Sequence, residues 1–250
     1  MTRGFDSARL TAGDAAGPKG PRVVVMQPYF LPSIAYFHLL HAADIFVFFD
    51  DAQFVTKRFT HRNSIPLDDG EYRFTVPLRN RSQNRRIDEI ALHPEQYPHW
   101  RRKFLASLRM HYGPSEAIEE LAELMQSDDI GLARLAERSV KWAAQRIGLT
   151  PDYLRSSEID YDRGSDASGK MLSICRQLGA HTYVNAWGGR ALYERPSFER
   201  EGFDLVFARS SGDAQAFIAQ SILALILTLE PRDIRRYAAS YDLVRVTQNE

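Results

Sequence analysis

The sequence predicts an α/β fold with a mainly parallel, Rossmann-like sheet sandwiched by helices, and features near its beginning carry that prediction. Residues 23–26 and 45–49 are short apolar runs typical of strands buried on both faces. Between them, helical periodicity follows Ser33, a predicted N-cap, and places one face at Ile34, Phe37, Leu40 and His41. A strand, a helix and a second strand in this order begin a parallel sheet, which binds ligands at the carboxyl ends of its strands.

Later segments extend this pattern and add a helical insertion at residues 100–147. Further strands are expected at 72–78, 87–92, 153–157, 181–185 and 203–207, the last being the predicted final strand of the sheet. Helices are expected at 100–112, 116–126, 132–147, 170–178 and 214–229. Ser168 is the predicted N-cap of the helix at 170–178.

Composition excludes several classes of protein. The 32 Lys and Arg residues balance the 32 Asp and Glu residues, so no global field favours nucleic acid, and small-molecule or protein partners are expected. The longest apolar run, residues 222–229, is far below the roughly 20 residues that span a membrane. Cys175 is the only cysteine, which excludes an internal disulfide and predicts a cytoplasmic location.

The expected domain organisation is simple. Residues 1–22 are rich in Gly, Ala, Asp and Pro without the apolar core of a secretory signal, and are predicted to form a disordered leader. Residues 23–250 are predicted to form a single α/β domain. The apolar helix at 214–229 is expected to pack on the sheet or on another subunit, which makes the chain a candidate homo-oligomer.

Two adjacent carboxylates, Asp50 and Asp51, follow the second predicted strand. If the strand continues through them they point to opposite sides, and only one enters a common pocket. Carboxylates at this position can bind Mg²⁺ with a phosphate-bearing substrate, accept hydrogen bonds from a sugar or an amine, or act as a base. The alternative is that they cap the following turn.

A dense set of hydrogen-bond donors follows the carboxylate pair. The set comprises Lys57, Arg58, His61, Arg62 and Asn63. Cations in this position can clamp a phosphate or a carboxylate, which is a composition typical of binding sites. A mutually neutralising surface loop has the same composition and is the alternative.

Two further strand ends are expected to line the same cleft. Gln27 and Tyr29 follow the first strand, where the first amides of the next helix favour an anion, although aromatic side chains here can also belong to the core. Asn185 follows a later strand and precedes Gly188 and Gly189. Paired glycines permit close approach of a ligand, or a tight turn.

Three other features receive mainly structural interpretations. His93, His99 and His111 lack the spacing of a helical metal pair, and no metal is predicted. Cys175 falls on an apolar helix face and is expected to be a small buried hydrophobe. Residues 79–86 carry four Arg and no acid, which indicates a solvated loop, with a mobile flap over an anionic ligand as the alternative.

Several of these segments form an ordered set of motifs between residues 23 and 229. They are MQPYFLPSIAYFHLL at 26–40, ADIFVFFDDAQF at 43–54, HRNSI at 61–65, FTVPL at 74–78, ICRQLGAHTYVNAWGG at 174–189, and then LYERPSF and GFDLVF. With these motifs the chain resembles the WbqC-like family, found in bacterial surface-polysaccharide and related gene clusters. The resemblance implies sugar modification or small-molecule tailoring, for which we expect a group transfer such as aminoacyl or acyl transfer to an amine.

The opening segment is also similar to pantothenate synthetase and other nucleotidylyltransferase-fold enzymes. Those enzymes carry a His-x-Gly-His motif that stabilises phosphate charge at a helix N-terminus. This chain has Ser33-Ile34-Ala35-Tyr36 at that place, so both histidines are absent. The similarity therefore implies a shared nucleotidylyltransferase-like fold more strongly than a shared adenylyl-transfer mechanism.

These observations lead to a hypothesis of a transferase that modifies an amine-bearing, nucleotide-activated sugar or similar metabolite. Asp50 or His61 would accept the proton of the acceptor, and Lys57 and Arg62 would hold phosphate or carboxylate. The predicted binding residues are completed by Gln27, Tyr29, Asp51, Asn63 and Asn185. Expected partners are a nucleotide-sugar or a carrier-protein-bound acyl donor, without nucleic acid or membrane, and the residues do not identify a cofactor.

Three alternatives remain open from the sequence. The first is an ATP-using nucleotidylyl-transfer enzyme with Lys57 on the phosphates. The second is a non-catalytic scaffold that recruits a partner through residues 79–86. The third is a covalent route through an acyl group on Cys175, which the apolar surroundings of that residue disfavour.

Overall fold

The computed structural model describes residues 20–56, 59–68, 70–126 and 131–245. Its strands are β1 (Arg22–Met26), β2 (Ile45–Phe48), β3 (Arg62–Leu67), β4 (Gly70–Thr75), β5 (Leu78–Arg79), β6 (Ala91–Leu92), β7 (Asp152–Arg155), β8 (Thr182–Ala186), β9 (Asp204–Ser210) and β10 (Tyr241–Val244). Its α-helices are α1 (Ile34–Ala42), α2 (Gln96–Tyr112), α3 (Glu116–Leu124), α4 (Leu132–Arg146), α5 (Ala167–Gln177), α6 (Arg195–Glu199), α7 (Ile222–Thr228) and α8 (Pro231–Ala238).

A six-stranded sheet in the order β10-β9-β8-β1-β2-β7 organises these elements. The strands β1, β2, β7, β8 and β9 run parallel, and β10 pairs antiparallel with β9. From β1 the chain builds outward first through β2 to β7 and then, on the other side, through β8 and β9. The predicted α/β class with a mainly parallel sheet is confirmed, and a topological switch point lies between β1 and β8.

Helices cover both faces of the sheet, which explains why its central strands are continuous apolar runs. Successive side chains of a strand point to opposite faces. Val24 and Phe46 lie in one buried cluster with side chains of α1, α4 and α7. Val23 and Val47 lie in a second cluster with Cys175 and its neighbours on α5. The sheet is therefore the middle layer of a three-layer sandwich.

The insertion between β2 and β7 is larger than the sequence predicts. The three expected helices are present as α2, α3 and α4, but two hairpins, β3–β4 and β5–β6, precede them. Strand β3 was not predicted, because Arg-Asn-Ser-Ile-Pro-Leu lacks clean alternation and contains Pro66, and its first two residues were assigned to a polar loop. Proline is tolerated there because β3 pairs only with β4, and an edge strand does not need every amide.

Strands at the ends of the described chain also differ from the prediction. The segment 203–207 is not the final strand of the sheet, because β10 adds to its edge after two further helices. Its sequence Tyr-Asp-Leu-Val is too short and too polar to predict a strand alone. Strand β1 begins at Arg22, one residue earlier than expected. Residues 1–19 of the predicted leader lie outside the described residues.

Hydrogen bonds at the starts of two helices differ from the prediction. The apolar helix expected at 214–229 begins only at Ile222, as α7. The N–H of Ile222 donates to the Pro32 carbonyl at 2.7 Å, and the Ser221 hydroxyl caps the helix by accepting from Leu223 N–H at 3.2 Å. The N-cap of α5 is Asp166 rather than Ser168, because the Asp166 carboxylate accepts from Gly169 N–H at 2.7 Å. Within the described ranges, no helix has the length and apolarity needed to cross a membrane.

Candidate functional site

A cleft at the carboxyl edge of the sheet brings together polar side chains from β1, β2 and the segment before α5. It has a volume of about 480 Å³. Its charged and amide-bearing lining residues, which define the polar cleft, include Gln27, Asp51, Arg86, Arg163, Asp166 and Lys170. Open α/β sheets bind ligands in this position because loops from several parallel strands meet there.

Asp50 does not line the polar cleft but lies buried behind it, with 4% of its surface exposed. Its carboxylate accepts hydrogen bonds from the Ser156 hydroxyl at 3.1 Å, from Ser157 N–H at 3.0 Å and from the Ser157 hydroxyl at 2.8 Å. These donors follow β7, so Asp50 joins the end of β2 to the end of β7. Its surroundings are those of a structural carboxylate.

Asp51 turns in the same direction as Asp50, because β2 ends at Phe48 and the alternation of a strand does not reach the pair. The Ser156 hydroxyl lies between the two carboxylates and contacts both. Asp51 also accepts from the Tyr161 hydroxyl at 3.0 Å and from Arg163 Nε at 2.9 Å. Its side chain is only 1% exposed, so the carboxylate mainly orients Tyr161 and Arg163 in the cleft wall.

Arg163 and Tyr161 form one unit on this wall. The guanidinium carbon of Arg163 lies 4.3 Å from the centre of the Tyr161 ring, a cation–π distance. A terminal nitrogen of Arg163 donates to the carbonyl groups of Ser156 and Ile159, each at 3.1 Å. Burial and the neighbouring Asp51 carboxylate raise the pKa of Tyr161, so its hydroxyl stays protonated as a donor.

His61 lies apart from the polar cleft, buried against Phe54 with ring centres 5.5 Å apart. Burial, together with the charges of Arg62 and Arg81, lowers its pKa to about 4, so the imidazole is neutral at pH 7. Within the described ranges its Nδ1 has no hydrogen-bond partner. A neutral imidazole could accept a proton, but its 1% exposure keeps it from a substrate in the cleft.

Of the other hydrogen-bond donors predicted near His61, Asn63 holds the backbone in place and Arg62 lies on the surface. The Asn63 amide donates to the Leu31 carbonyl at 2.8 Å, and its oxygen accepts from Ser64 N–H at 2.9 Å. Leu31 has a positive φ of 49°, so this contact supports a strained turn after β1. Arg62 is exposed and lines a separate outer groove of about 380 Å³. Lys57 lies outside the described residues.

Asn185 is buried below the cleft rather than at its mouth. Its amide donates to the Tyr183 hydroxyl at 3.2 Å, and its oxygen accepts from Ala186 N–H at 2.6 Å. A Cβ added at Gly189 would lie 3.2 Å from the Asn185 amide. The glycine therefore permits close approach of the chain to Asn185, where the sequence predicted approach to a ligand or a tight turn.

A second opening lies on the other side of the end of β1. It is a pocket of about 160 Å³ between the ends of β1 and β8, at the switch point of the sheet. Its larger lining side chains, which define the apolar pocket, are Met26, Tyr29, Tyr36, Leu39, Phe59 and Ile218. Gln27 lies between the two openings. It lines the polar cleft, and its carbonyl accepts a hydrogen bond at 3.0 Å from the hydroxyl of Tyr36, which lines the apolar pocket.

Comparison with known protein families assigns most of this chain. Residues 27–232 match the model of the WbqC-like protein family. The chain belongs to the WbqC-like family. A related protein, "Uncharacterized protein Rv1507c" of Mycobacterium tuberculosis (strain ATCC 25618 / H37Rv), is 22% identical over 186 residues, covering 71% of this chain and 78% of the relative. No solved structure matches this WbqC-like protein.

Several residues of the polar cleft were not singled out from the sequence. They are Tyr161, Arg163, Asp166 and Lys170. All four lie in or beside the polar segment 160–169, and its position after a predicted strand was the available signal. Arg86, which also lines the cleft, belongs to the loop at 79–86 that the sequence indicated as a solvated loop or a flap over an anionic ligand. In this loop the Arg85 carbonyl accepts a hydrogen bond from Phe54 N–H at 2.8 Å.

The arrangement of possible metal ligands and the burial of Cys175 bear on two further kinds of chemistry, metal binding and covalent catalysis. Within the described ranges, no group of three or more His, Cys, Asp or Glu side chains is arranged to hold a metal ion. Cys175 is fully buried, and burial raises the pKa of its thiol to about 12. A protonated thiol inside the core is a poor nucleophile, so the geometry disfavours an acyl-cysteine route.

The lowered pKa of His61 makes stability depend on pH in a defined window. Its folded pKa of about 4 lies below the ordinary value of 6.5, so the folded state loses stability as pH falls from about 6.5 to about 4. This group accounts for at most about 3 kcal/mol. In a His61→Phe variant, urea unfolding between pH 7 and pH 4 should show a shallower fall in the free energy of unfolding.

Some dependence should remain in that variant, because burial also lowers the pKa of His38 and His41. An unchanged slope in the His61→Phe protein would contradict the burial of a neutral imidazole at this position.

Proposed function

We propose that this WbqC-like protein is a transferase that places an acyl or aminoacyl group on an amine-bearing sugar or similar metabolite, in polysaccharide or secondary-metabolite biosynthesis. The observation that supports this most is the mixed charge of the polar cleft. Cationic Arg86, Arg163 and Lys170 share its lining with the carboxylates of Asp51 and Asp166. A ligand with both an anionic group and an amine matches that lining better than a purely anionic or apolar one.

Lys170 and the start of α5 are the expected anion site within the cleft. Within the described ranges, Lys170 makes no salt bridge, whereas Arg86 is paired with Asp88 and Arg163 with Asp51. The N–H groups of Ala167 and Ser168 are in the first turn of α5, where amides have no acceptor within the helix. A phosphate or carboxylate beside Lys170 would satisfy both the ammonium and these amides.

Asp166 is the carboxylate best placed to accept the proton of an attacking amine. Asp50 and Asp51 are covered by their own donors, whereas Asp166 is exposed and lines the cleft. One Asp166 oxygen caps α5, and among the described residues the other oxygen has no hydrogen-bond partner and can face a ligand. In the proposed step the amine nitrogen bonds to the acyl carbon, the bond to the donor's leaving group breaks, and the amine proton passes to Asp166.

The nucleotidylyl-transfer alternative has less support from the geometry. It requires a triphosphate at the N-terminus of α1, where the related enzymes carry their histidines. Ser33 and Ala35 in that turn instead line the apolar pocket, together with Tyr29 and Tyr36. No Lys or Arg is among the described residues that line this pocket.

Replacement of Lys170 tests the anion site. Lys170→Ala should weaken binding of UDP-glucosamine at least about tenfold, because a charge-assisted hydrogen bond to phosphate contributes about 1.5–3 kcal/mol. Isothermal titration calorimetry measures this directly. Lys103→Ala, at an exposed position of α2 away from the cleft, is the matched control and should bind like the wild type. Equal affinity for the two variants would contradict the proposed site.

Replacement of Asp166 tests the proton acceptor separately from folding. Asp166→Asn keeps an N-cap side chain on α5, since Asn caps helices as well as Asp does, but removes the base. Turnover of UDP-glucosamine with a panel of acyl-coenzyme A and aminoacyl donors, followed by mass spectrometry, should fall about 10²-fold. Binding of UDP-glucosamine by calorimetry should fall much less than turnover, because an Asn side chain still offers the amine an acceptor oxygen.

Asp162→Asn is the control, because Asp162 is exposed and caps the neighbouring turn without lining the cleft. Full turnover by Asp166→Asn would contradict the role of Asp166 as the proton acceptor. If Asp50→Asn or His61→Ala then loses turnover, the proton acceptor is the residue that the sequence predicted.

A further inference from the structure

The apolar pocket at the switch point has the lining of a binding site rather than of a packing defect. Rings of Tyr29, Tyr36 and Phe59 surround it, with Tyr29 centred 5.7 Å from Tyr36 and 6.1 Å from Phe59. The hydroxyl of Tyr36 is turned away to the Gln27 carbonyl, so it presents its ring to the space. An apolar surface of this kind favours an apolar group over a phosphate or a sugar.

Two large side chains at its rim are exposed although they are apolar. Phe59 is 57% exposed and Ile218 is 47% exposed. Of the four large apolar side chains that are exposed in the part of the chain that the structure describes, these two line the same pocket. Exposed apolar side chains that cluster around a concavity mark a binding surface, because a ligand that covers them removes apolar area from water.

The size of the pocket sets the size of its occupant. A cavity of about 150 Å³ lined by apolar side chains binds benzene. The apolar pocket has a volume of about 160 Å³, so it accommodates a group of roughly six carbon atoms. A nucleotide is too large for this space.

The pocket also opens into a path for the remainder of a longer molecule. The outer groove shares Phe59, Asn63 and Ala219 with the apolar pocket and continues across β3 and β4. Arg62 and Glu71 line the outer groove, which is therefore polar where the pocket is apolar. A molecule with an apolar end and a polar extension would therefore fit the apolar pocket and the outer groove together.

We infer that the apolar pocket binds the apolar end, about six carbons in size, of the molecule that donates the transferred group. Gln27 would then separate the donor group from the amine-bearing acceptor in the polar cleft. The assignment to the donor rests on the proposed transferase function, but binding of an apolar group does not, and it can be measured without turnover. An aromatic ring and a straight acyl chain share this chemistry.

Ligand-observed NMR with benzyl alcohol and with 1-hexanol tests the inference on the full chain. At least one probe should show saturation transfer that Ala35→Leu reduces at least tenfold, because the larger side chain fills the pocket from α1. Ala106→Leu makes the same change at an exposed position of α2 and should leave binding unchanged. Binding of benzyl alcohol alone indicates an aromatic donor group, and binding of 1-hexanol alone indicates a chain.

Phe59→Ala provides a second variant that does not depend on tolerance of a larger residue in α1. Because Phe59 is mostly exposed, its truncation should leave the melting temperature nearly unchanged while weakening probe binding severalfold. Absence of binding by both probes, or binding that neither variant changes, overturns the inference. UDP-glucosamine binding in Ala35→Leu reports on the polar cleft independently, so failure of the apolar pocket and failure of the proposed function are distinguishable.

Discussion

Burial of two adjacent carboxylates, Asp50 and Asp51, is the constraint on which the polar cleft depends. A buried carboxylate is costly unless hydrogen bonds compensate for the lost water. Here the compensating donors come from Ser156, Ser157, Tyr161 and Arg163, all in the segment that follows β7. The carboxylates therefore fix the course of that segment. Because it leads directly into α5, they also determine where Asp166 and Lys170 meet the end of β1.

This arrangement separates the groups that build the site from those able to meet a ligand. Asp50 and Asn185 are buried and accept hydrogen bonds from backbone N–H groups, and His61 is buried against Phe54. Gln27, Asp166 and Lys170 line the open space. A mixed-charge opening lies on one side of Gln27 and an aromatic opening lies on the other. The proposed group transfer between an amine-bearing molecule and a donor with an apolar end would use both.

The sequence predicted the opening of the sheet well because two apolar runs and the intervening helix are local patterns. It also placed its candidate site at the carboxyl edge of the sheet, where the polar cleft lies. It did not predict the roles of Asp50 and Asp51, because their partners lie 105 to 112 residues away and no spacing reveals such contacts. For the same reason the polar segment before α5 could be predicted as a loop, but not as a wall of the cleft. Strands β3 and β10 were missed because their stability comes from pairing rather than from their own composition.

The most direct measurement of the central claim is a crystal structure of the protein with UDP-glucosamine. If the polar cleft is the substrate site, pyrophosphate density will lie beside the Lys170 ammonium and the N–H groups of Ala167 and Ser168, with the amine toward Asp166. Pyrophosphate density at the first turn of α1, beside Ser33 and with the polar cleft empty, would contradict the account and support a nucleotidylyltransferase-like binding mode.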